Sequence, residues 1–359
     1  MIVKSLVLRN FRNYDHVEVE FDPKLNVIVG ENAAGKTNLV EAIYFLSLAR
    51  SFRPAENSDL IKNKRQFSTI EAKVEQDTIK KDIVALMTSS AKKFTCNNKQ
   101  VKKVSDLSKL INVIVFEPKD VLMFANSPLV RRNFLDINLS KKSPIYLEKL
   151  ITFEKLLKER NAILKSEEID RTQLLVVTQQ LIDVEESICK YRQMYFDKIN
   201  QILSKVITEL KGEKEIAKIE YLPFVKMDDM FKFNCALAYE KMLESDIKHK
   251  ATQLGIHRED FKMILNGENI SVKGSQGENR IAVIALKLCP YFLIEEQDKK
   301  PIIILDDVMS ELDNEHKQRL ITFVRGLEQV FVTSTNINIK NASIFEVKEH
   351  NVTRRNAKW

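Results

Sequence analysis

The sequence predicts an α/β protein in which a mixed β-sheet core is organised around a phosphate-binding loop and divided by an inserted helical lobe. Three observations carry that prediction. "LNVIVGENAAGKTNLVEAIYFLSLA" passes from an apolar, β-rich run through a glycine-bearing loop into helical periodicity. "PIIILDD" supplies a second apolar strand that ends in paired aspartates. Between the two, residues 144–211 carry apolar side chains at helical spacing through two long segments.

The loop is set apart by its glycine. A chain of 359 residues would hold roughly 25 glycines at average usage. This one has 8, and Gly30, Gly35, Gly274 and Gly277 fall in two short stretches. In "GENAAGKT" the glycines free the backbone N–H groups to wrap phosphates, and the positive end of the following helix faces them. Gly30, Glu31, Asn32, Ala33, Ala34, Gly35, Lys36, Thr37 and Asn38 are therefore the candidate ATP-binding set. Lys36 would reach the outer phosphates and Thr37 would ligate Mg²⁺.

A phosphate loop alone does not separate a small kinase, a GTPase and a motor, so the acidic strand has to decide. Ile302–Leu305 leads into Asp306, suited to hold Mg²⁺, and Asp307, suited to orient a water. Asp306 lies 276 positions beyond Gly30, so a large insertion separates the halves of one nucleotide site. Ahead of the acidic strand, Ser275, Gln276, Gly277 and Glu278 open a helix whose apolar residues Ile281, Ile284, Ala285 and Leu288 share a face. Such a start serves as an anion site or simply as a cap. Within the insertion, "YLEKLITFEKLLKERNAILK" and the longer segment from Thr172 to Leu210 read as two amphipathic helices parted by the polar "SEEIDR".

Composition narrows the class. With 44% hydrophobic and 30% charged residues the chain reads as globular. No apolar run reaches the roughly 18 residues of a membrane span, and the N-terminus lacks a signal-peptide core, so the expected compartment is the cytoplasm. Cys96, Cys189, Cys235 and Cys289 are scattered singly, without metal-ligand or disulfide spacing. The net charge of +7 is concentrated: residues 60–110 hold 12 Lys or Arg against 5 Asp or Glu. That segment alternates as strands do in "FSTIEAKVEQ" and "KKDIVALM" and turns at "TCNNKQVKK". A polyanion site including Lys102 and Lys103 and a merely solvated lysine-rich face are both compatible with this pattern.

The order of phosphate loop, long insertion, Ser-Gln-Gly-Glu helix start, acidic strand and "SELD" resembles ATP-binding-cassette (ABC) ATPases. The resemblance implies an ABC-type ATPase head with ATP and Mg²⁺ as cofactors. It also implies a homodimer closed by ATP, in which Ser275, Gln276, Gly277, Glu278 and Asp313 complete the partner subunit's site in trans. Four stretches bring the chain closer to one family. "LVLRNFRNY", "GENAAGKTNLVEAIYFLSLARSFR", "FEPKDVLMFANSPLVRRNFLD" and "LDDVMSELDNEHKQRL" together resemble the RecF family of bacterial recombination mediators over the full length.

That likeness puts Arg12 and Asn13 near the nucleotide and implies an ATP-dependent hold on gapped or duplex DNA beside single strands. It further implies work with RecR and RecO, help in loading RecA, and Lys36 and Asp307 as the catalytic residues. Lobe I is expected over 1–125 and 295–359, and the helical lobe II over 126–294. The chain departs from the patterns in places. Asn126 stands where the family has glycine. Glu117 or Asp120 stands for the Gln of transporters and Asp307 for their Glu, and "VFVTST" offers hydroxyls, Thr335 among them, where transporters have a switch histidine. Arg131 and Arg132 are DNA candidates, with pairing to Asp136 on one helix face as the alternative reading. Two other classes remain in view. A metabolic P-loop phosphotransferase would need an acceptor pocket and no DNA affinity. A transporter ATPase subunit is disfavoured by the missing Gln and His.

Overall fold

The computed structural model describes residues 1–335 and 339–355, so 336–338 and 356–359 of the expected lobe I lie outside the described residues. In chain order the elements begin β1 Ile2–Phe11, β2 Tyr14–Glu20, β3 Leu25–Val29, α1 Lys36–Leu48, β4 Phe67–Gln76, β5 Ile79–Thr88, β6 Lys92–Cys96 and β7 Lys99–Gln100. They continue through α2 Leu107–Leu110, β8 Val113–Phe116, α3 Pro128–Lys142, α4 Pro144–Lys165, α5 Arg171–Lys211, β9 Ala217–Leu222 and α6 Phe231–His249. The last are β10 Asp260–Leu265, β11 Glu268–Asn269, α7 Ile270–Lys273, α8 Gln276–Phe292, β12 Ile302–Leu305, α9 Asn314–Arg325, β13 Val330–Ser334, β14 Ser343–Lys348 and β15 Asn351–Arg354. None of these helices is long and apolar enough to cross a membrane.

The chain forms two compact units. The first holds residues 1–121, 205–214 and 280–359. Its two six-stranded sheets run β2-β1-β4-β5-β6-β7, antiparallel throughout, and β15-β14-β3-β13-β12-β8, parallel except for β15. Helix α1 packs against strands of both sheets, touching β8 and β13 on one side and β1, β4 and β5 on the other. Its sequence reflects that position. From Leu39 to Ser47 every residue is buried, as a helix covered on all sides requires. The core it joins includes Leu6, Leu8, Ile28, Phe45, Ile83, Ile304 and Phe331.

The second unit holds residues 122–204 and 215–279. The two expected helices appear as α4 and α5, parted at 166–170. The lobe is not wholly helical, however, because β11-β10-β9 form an antiparallel sheet. The signal was local: Asn266 and Gly267, both at positive φ, turn β10 into β11, and Asn-Gly is the favoured pair for that turn. The units also part elsewhere than expected, since residues 205–214 and 280–294 belong to the first. Asn126, at the place where the RecF pattern has glycine, is not among the residues in the left-handed region, so its turn needs no glycine.

Unit 2 buries several charged side chains, Arg160, Glu185, Arg192, Asp246 and Glu259 among them. Arg160 Nη1 donates to Asp246 Oδ2 at 2.7 Å, and Arg192 donates to Glu259 at 2.6 Å and Asp136 at 2.9 Å. Glu185 lacks such a cation. It accepts from Tyr239 Oη and from Ile256 N, and burial pushes its carboxyl up from 4.5 to about 8. Burial drives His257 the other way, from 6.5 down to about 4. The two have opposite consequences for stability. Folded Glu185 keeps a proton that the unfolded chain loses above pH 4.5, so its contribution is present at low pH and lost as pH rises toward 8. Folded His257 refuses a proton that the unfolded chain takes below pH 6.5, so its contribution is lost as pH falls. Glu185→Gln should therefore flatten the decline of stability between pH 6.5 and 8, where the wild-type slope approaches ~1.4 kcal/mol per pH unit. Urea unfolding across that range measures it, and parallel wild-type and variant curves would place the titration elsewhere.

Candidate nucleotide site

The site stands at the carboxyl ends of the parallel strands β8, β12, β13 and β3, where open α/β sheets present ligands. The register aligns the ends: Leu305 pairs with Phe116 and Val332, and Ser334 pairs with Val29. Gly30, Asp306, Thr335 and Glu117 thus follow directly on four neighbouring strands. Each loop glycine has a steric reason. A Cβ on Gly30 would stand 2.4 Å from Val347 O, and one on Gly35, at φ +117°, would strike Asn13 and Tyr14. Glu31, Asn32 and Ala33 are exposed, Ala33 in the left-handed region.

Lys36, the first residue of α1, is buried and its Nζ donates to Gly30 O and Glu31 O, each at 2.8 Å. It closes the loop on itself with the bonds a phosphate would take over. Burial lowers its pKa, against which the Asp307 and Asp306 carboxylates act.

One carboxylate oxygen links the two motifs. Thr37 Oγ1 donates to Asp306 Oδ1 at 2.9 Å, and Thr333 Oγ1 donates to the same oxygen at 2.7 Å. Burial raises the Asp306 pKa, and those hydroxyls oppose the rise. A hydroxyl and a buried carboxylate at this spacing form an oxygen donor set suited to Mg²⁺, so Thr37 and Asp306 fit the ion the sequence implies. Asp307 follows in the left-handed region at φ +50°, its N–H donating to Thr333 Oγ1 at 2.9 Å. Thr333, within the "VFVTST" stretch, is thus a hydroxyl engaged beside the acidic pair. Thr335 is exposed just beyond the strand.

Of the two candidates at the end of β8, Asp120 is engaged, accepting from Glu117 N at 2.8 Å and from Lys287 Nζ. Glu117, its pKa raised by burial and by Asp120, is the carboxyl beside Asp306 in register.

Arg12 lies in the expected neighbourhood but its side chain serves the helix. It grips the fully buried Glu41 through Nε at 2.9 Å and Nη2 at 2.6 Å, and donates to Asp59 O. Arg53 reaches the same carboxylate. Burial would raise the Glu41 pKa, but the Arg12 and Arg53 guanidiniums hold it below the usual value. Asn13 accepts from Asn38 Nδ2 at 2.8 Å and faces Ala34 O, which sets it against the outside of the loop.

Ser275 and Glu278 form a capping box: Ser275 N donates to Glu278 Oε2 at 2.9 Å and Glu278 N to Ser275 Oγ at 3.2 Å. Gly274 is needed locally, since a Cβ there would meet Ile270 O at 2.6 Å. Around Gly277 a Cβ would meet nothing within 4 Å, so the fold itself gives no reason for that glycine in a helix start. Gln276 is exposed, and Asp313 caps α9 by accepting from His316 N at 2.9 Å.

The DNA candidates fare unequally. Arg131 must be withdrawn: it is buried, paired through two nitrogens with Asp260, and donates to Met123 O and Asn126 O. Arg132 is half-buried and donates to Glu259 O at 2.7 Å. Asp136, the expected partner of both, is taken by Arg192 and Tyr146. In residues 60–110, Lys81 and Lys92 are spent on carbonyls of Leu110 and Ala49. On the outer face of the β1–β4 pair the charges mix in sign, as in Lys4–Glu75 and Arg9–Glu71. Lys102 and Lys103 are exposed beyond β7.

A mixed sheet with Lys36, Thr37 and Asp306 at its strand ends, in a chain whose second unit is inserted, defines the ATPase head of the ABC and SMC class. A solved Smc head domain derived from Pyrococcus furiosus shares the fold, with a TM-score of 0.58 at 15% identity over 99% of this chain and 96% of that one. The RecF/RecN/SMC N-terminal domain family matches residues 2–354. Within that class the chain belongs to the RecF family. It is 34% identical to the DNA replication and repair protein RecF of Shouchella clausii (strain KSM-K16), over 99% of this chain and all of that one. Its structure is similar to that of the recombination mediator protein RecF-ATP in the RecFOR pathway, with a TM-score of 0.90, 30% identity and coverage of 99% and 98%.

The burial of Arg131 has a testable consequence. Arg131→Ala leaves Asp260 without its partner and two carbonyls unmet, and should destabilise the fold by about 3–5 kcal/mol. Chemical denaturation reads this directly. A variant as stable as wild type but weak on DNA would return Arg131 to the nucleic-acid surface.

Proposed function

We propose that this chain is a slow, ATP-hydrolysing DNA clamp of recombinational repair, working in the cytoplasm as an ATP-closed homodimer. The observation that carries the reading is the junction of Thr37 with Asp306 beside Lys36, which brings both halves of a nucleotide site together across 269 positions of chain. On arrival of ATP, Lys36 exchanges the carbonyls of Gly30 and Glu31 for phosphate oxygens, while the N–H groups of the loop and the start of α1 take the remainder. Mg²⁺ held by Thr37 and Asp306 would supply charge neutralisation at the phosphates. Asp307, fixed through its N–H by Thr333, orients the attacking water.

Closure of the dimer follows from the other unit. The exposed start of α8, with Ser275, Gln276, Gly277 and Glu278, approaches the phosphate of the partner subunit's ATP, and the open space at Gly277 leaves room for that approach. Asp313 supports the same contact. The DNA bound is duplex beside single strand, with Lys102 and Lys103 among the phosphate contacts. RecR and RecO are the proposed protein partners and RecA loading the outcome, a reading supported by the RecFOR pathway of the solved relative.

Filter binding of gapped DNA with and without ATP tests the whole reading. Lys36→Met should lose ATP-stimulated retention, because the ammonium is the charge that answers the phosphates. Asp307→Asn should keep ATP binding, slow hydrolysis by about 10²-fold and prolong the DNA complex. DNA binding indifferent to ATP in the wild type would sink the clamp, and a shorter-lived complex in Asp307→Asn would mean that hydrolysis does not trigger release.

The dimer is tested separately by sedimentation with ATP and Mg²⁺. Ser275→Arg should abolish dimers while sparing nucleotide binding. A variant that still dimerises would remove the Ser275 turn from the trans contact.

A further inference from the structure

The hairpin of β14 and β15 lies at the far end of the chain from the phosphate loop in sequence, yet it touches the loop at both of its ends. Val347 O lies 2.4 Å from where a Cβ of Gly30 would be, and the His350 ring reaches Ala34. The turn that delivers His350 is itself unusual. Lys348 pairs with Asn351, so Glu349 and His350 alone make the turn, at φ +50° and +63°. Those are glycine- and asparagine-type positions, and side chains are held there only where the surroundings compel it.

The hydrogen bonds specify what the imidazole does. A guanidinium only donates, so Arg53 Nη2, 2.6 Å from Asn38 Oδ1, fixes the Asn38 amide. Asn38 Nδ2 must then donate to Asn13 Oδ1, at 2.8 Å. That leaves Asn13 Nδ2 facing His350 Nδ1 at 2.7 Å and Ala34 O at 3.4 Å. His350 Nδ1 is therefore the acceptor, and its ring carries its hydrogen on Nε2. Its 3.2 Å separation from Ala34 O brings two acceptors together, bridged by the Asn13 amide. Tyr14 completes the buttress, its Oη donating to Gly35 O at 3.0 Å and its ring edge-on to His350.

The geometry points to His350 as a positioning residue for nucleotide binding: through Asn13 it locks the Ala34–Gly35 end of the phosphate loop in the shape that receives phosphates. The inference rests on the nucleotide site proposed above. It predicts that stability and affinity separate, because the side chain strains the turn and serves the loop.

His350→Gly relieves the left-handed residue and removes the acceptor. Titration with mant-ATP and Mg²⁺ should show affinity weakened about threefold to tenfold, the range of one lost hydrogen bond, with a melting temperature equal to or above that of wild type. His350→Asn, which tolerates the same backbone and offers a side-chain oxygen, should recover part of the loss. Wild-type affinity in His350→Gly overturns the inference, as does an affinity loss matched by a fall in melting temperature. A wild-type protein that fails to bind mant-ATP overturns the nucleotide site itself, and the role of His350 with it.

Discussion

One carboxylate oxygen organises the nucleotide site. Asp306 Oδ1 accepts from Thr37 on α1 and from Thr333 on β13, so three segments far apart in sequence meet on a single buried atom. A carboxylate placed there without donors would be costly to ionise, and the raised pKa of Asp306 shows that burial still outweighs the two hydroxyls. The neighbouring geometry follows from keeping both within reach. β3 and β12 must flank β13 in parallel register, and α1 must begin directly over their ends. The chain can make that entry only through Gly35 at φ +117°.

Helix α1 is then held by charge as well as by packing. Glu41 is fully buried between two sheets, a position in which a lone carboxylate would take up a proton. Arg12 from the β1–β2 turn and Arg53 from the loop after α1 keep it ionised. The same Arg53 orients Asn38, and Asn38 orients Asn13, so the charge that anchors the helix also sets the amides lining the phosphate loop. The antiparallel sheet thereby acts on the site: its first turn carries Arg12 and Asn13, and β2 opens with Tyr14.

What could be read from sequence was what is specified by neighbours along the chain. The strand–loop–helix at Leu25–Leu48, the acidic strand at Ile302–Leu305 and the two helices parted at 166–170 all rest on local periodicity and glycine, and all stand in the structure. The β9–β11 sheet was equally local in its Asn-Gly turn, but helical periodicity on either side masked it. Roles that depend on distant partners were illegible. Arg131 read as an available cation because Asp260 lies 129 residues away, and Lys81 and Lys92 read as surface charge because the carbonyls they serve belong to other elements. The bond of Arg12 to Glu41, 29 residues further along the chain, has no sequence signature at all.

The setting of Lys36 connects these constraints to the proposed nucleotide site. Its ammonium is buried, satisfied by two carbonyls, and made less basic by that burial even though two aspartates act against the effect. Carbonyl dipoles compensate a full positive charge poorly compared with an ionised phosphate, and the charged partner forms the stronger hydrogen bond. An ionised phosphate oxygen would thus compensate the ammonium better than the two loop carbonyls do. Because a ligand that binds only the folded chain stabilises it in proportion to the logarithm of its concentration, the proposed contact would couple nucleotide and fold through this side chain. The loop need not be built by the ligand. It is already shaped by Gly30, Gly35 and the Asn13 amide, so in the proposed reading binding energy would go into exchanging the partners of Lys36 rather than into ordering the backbone.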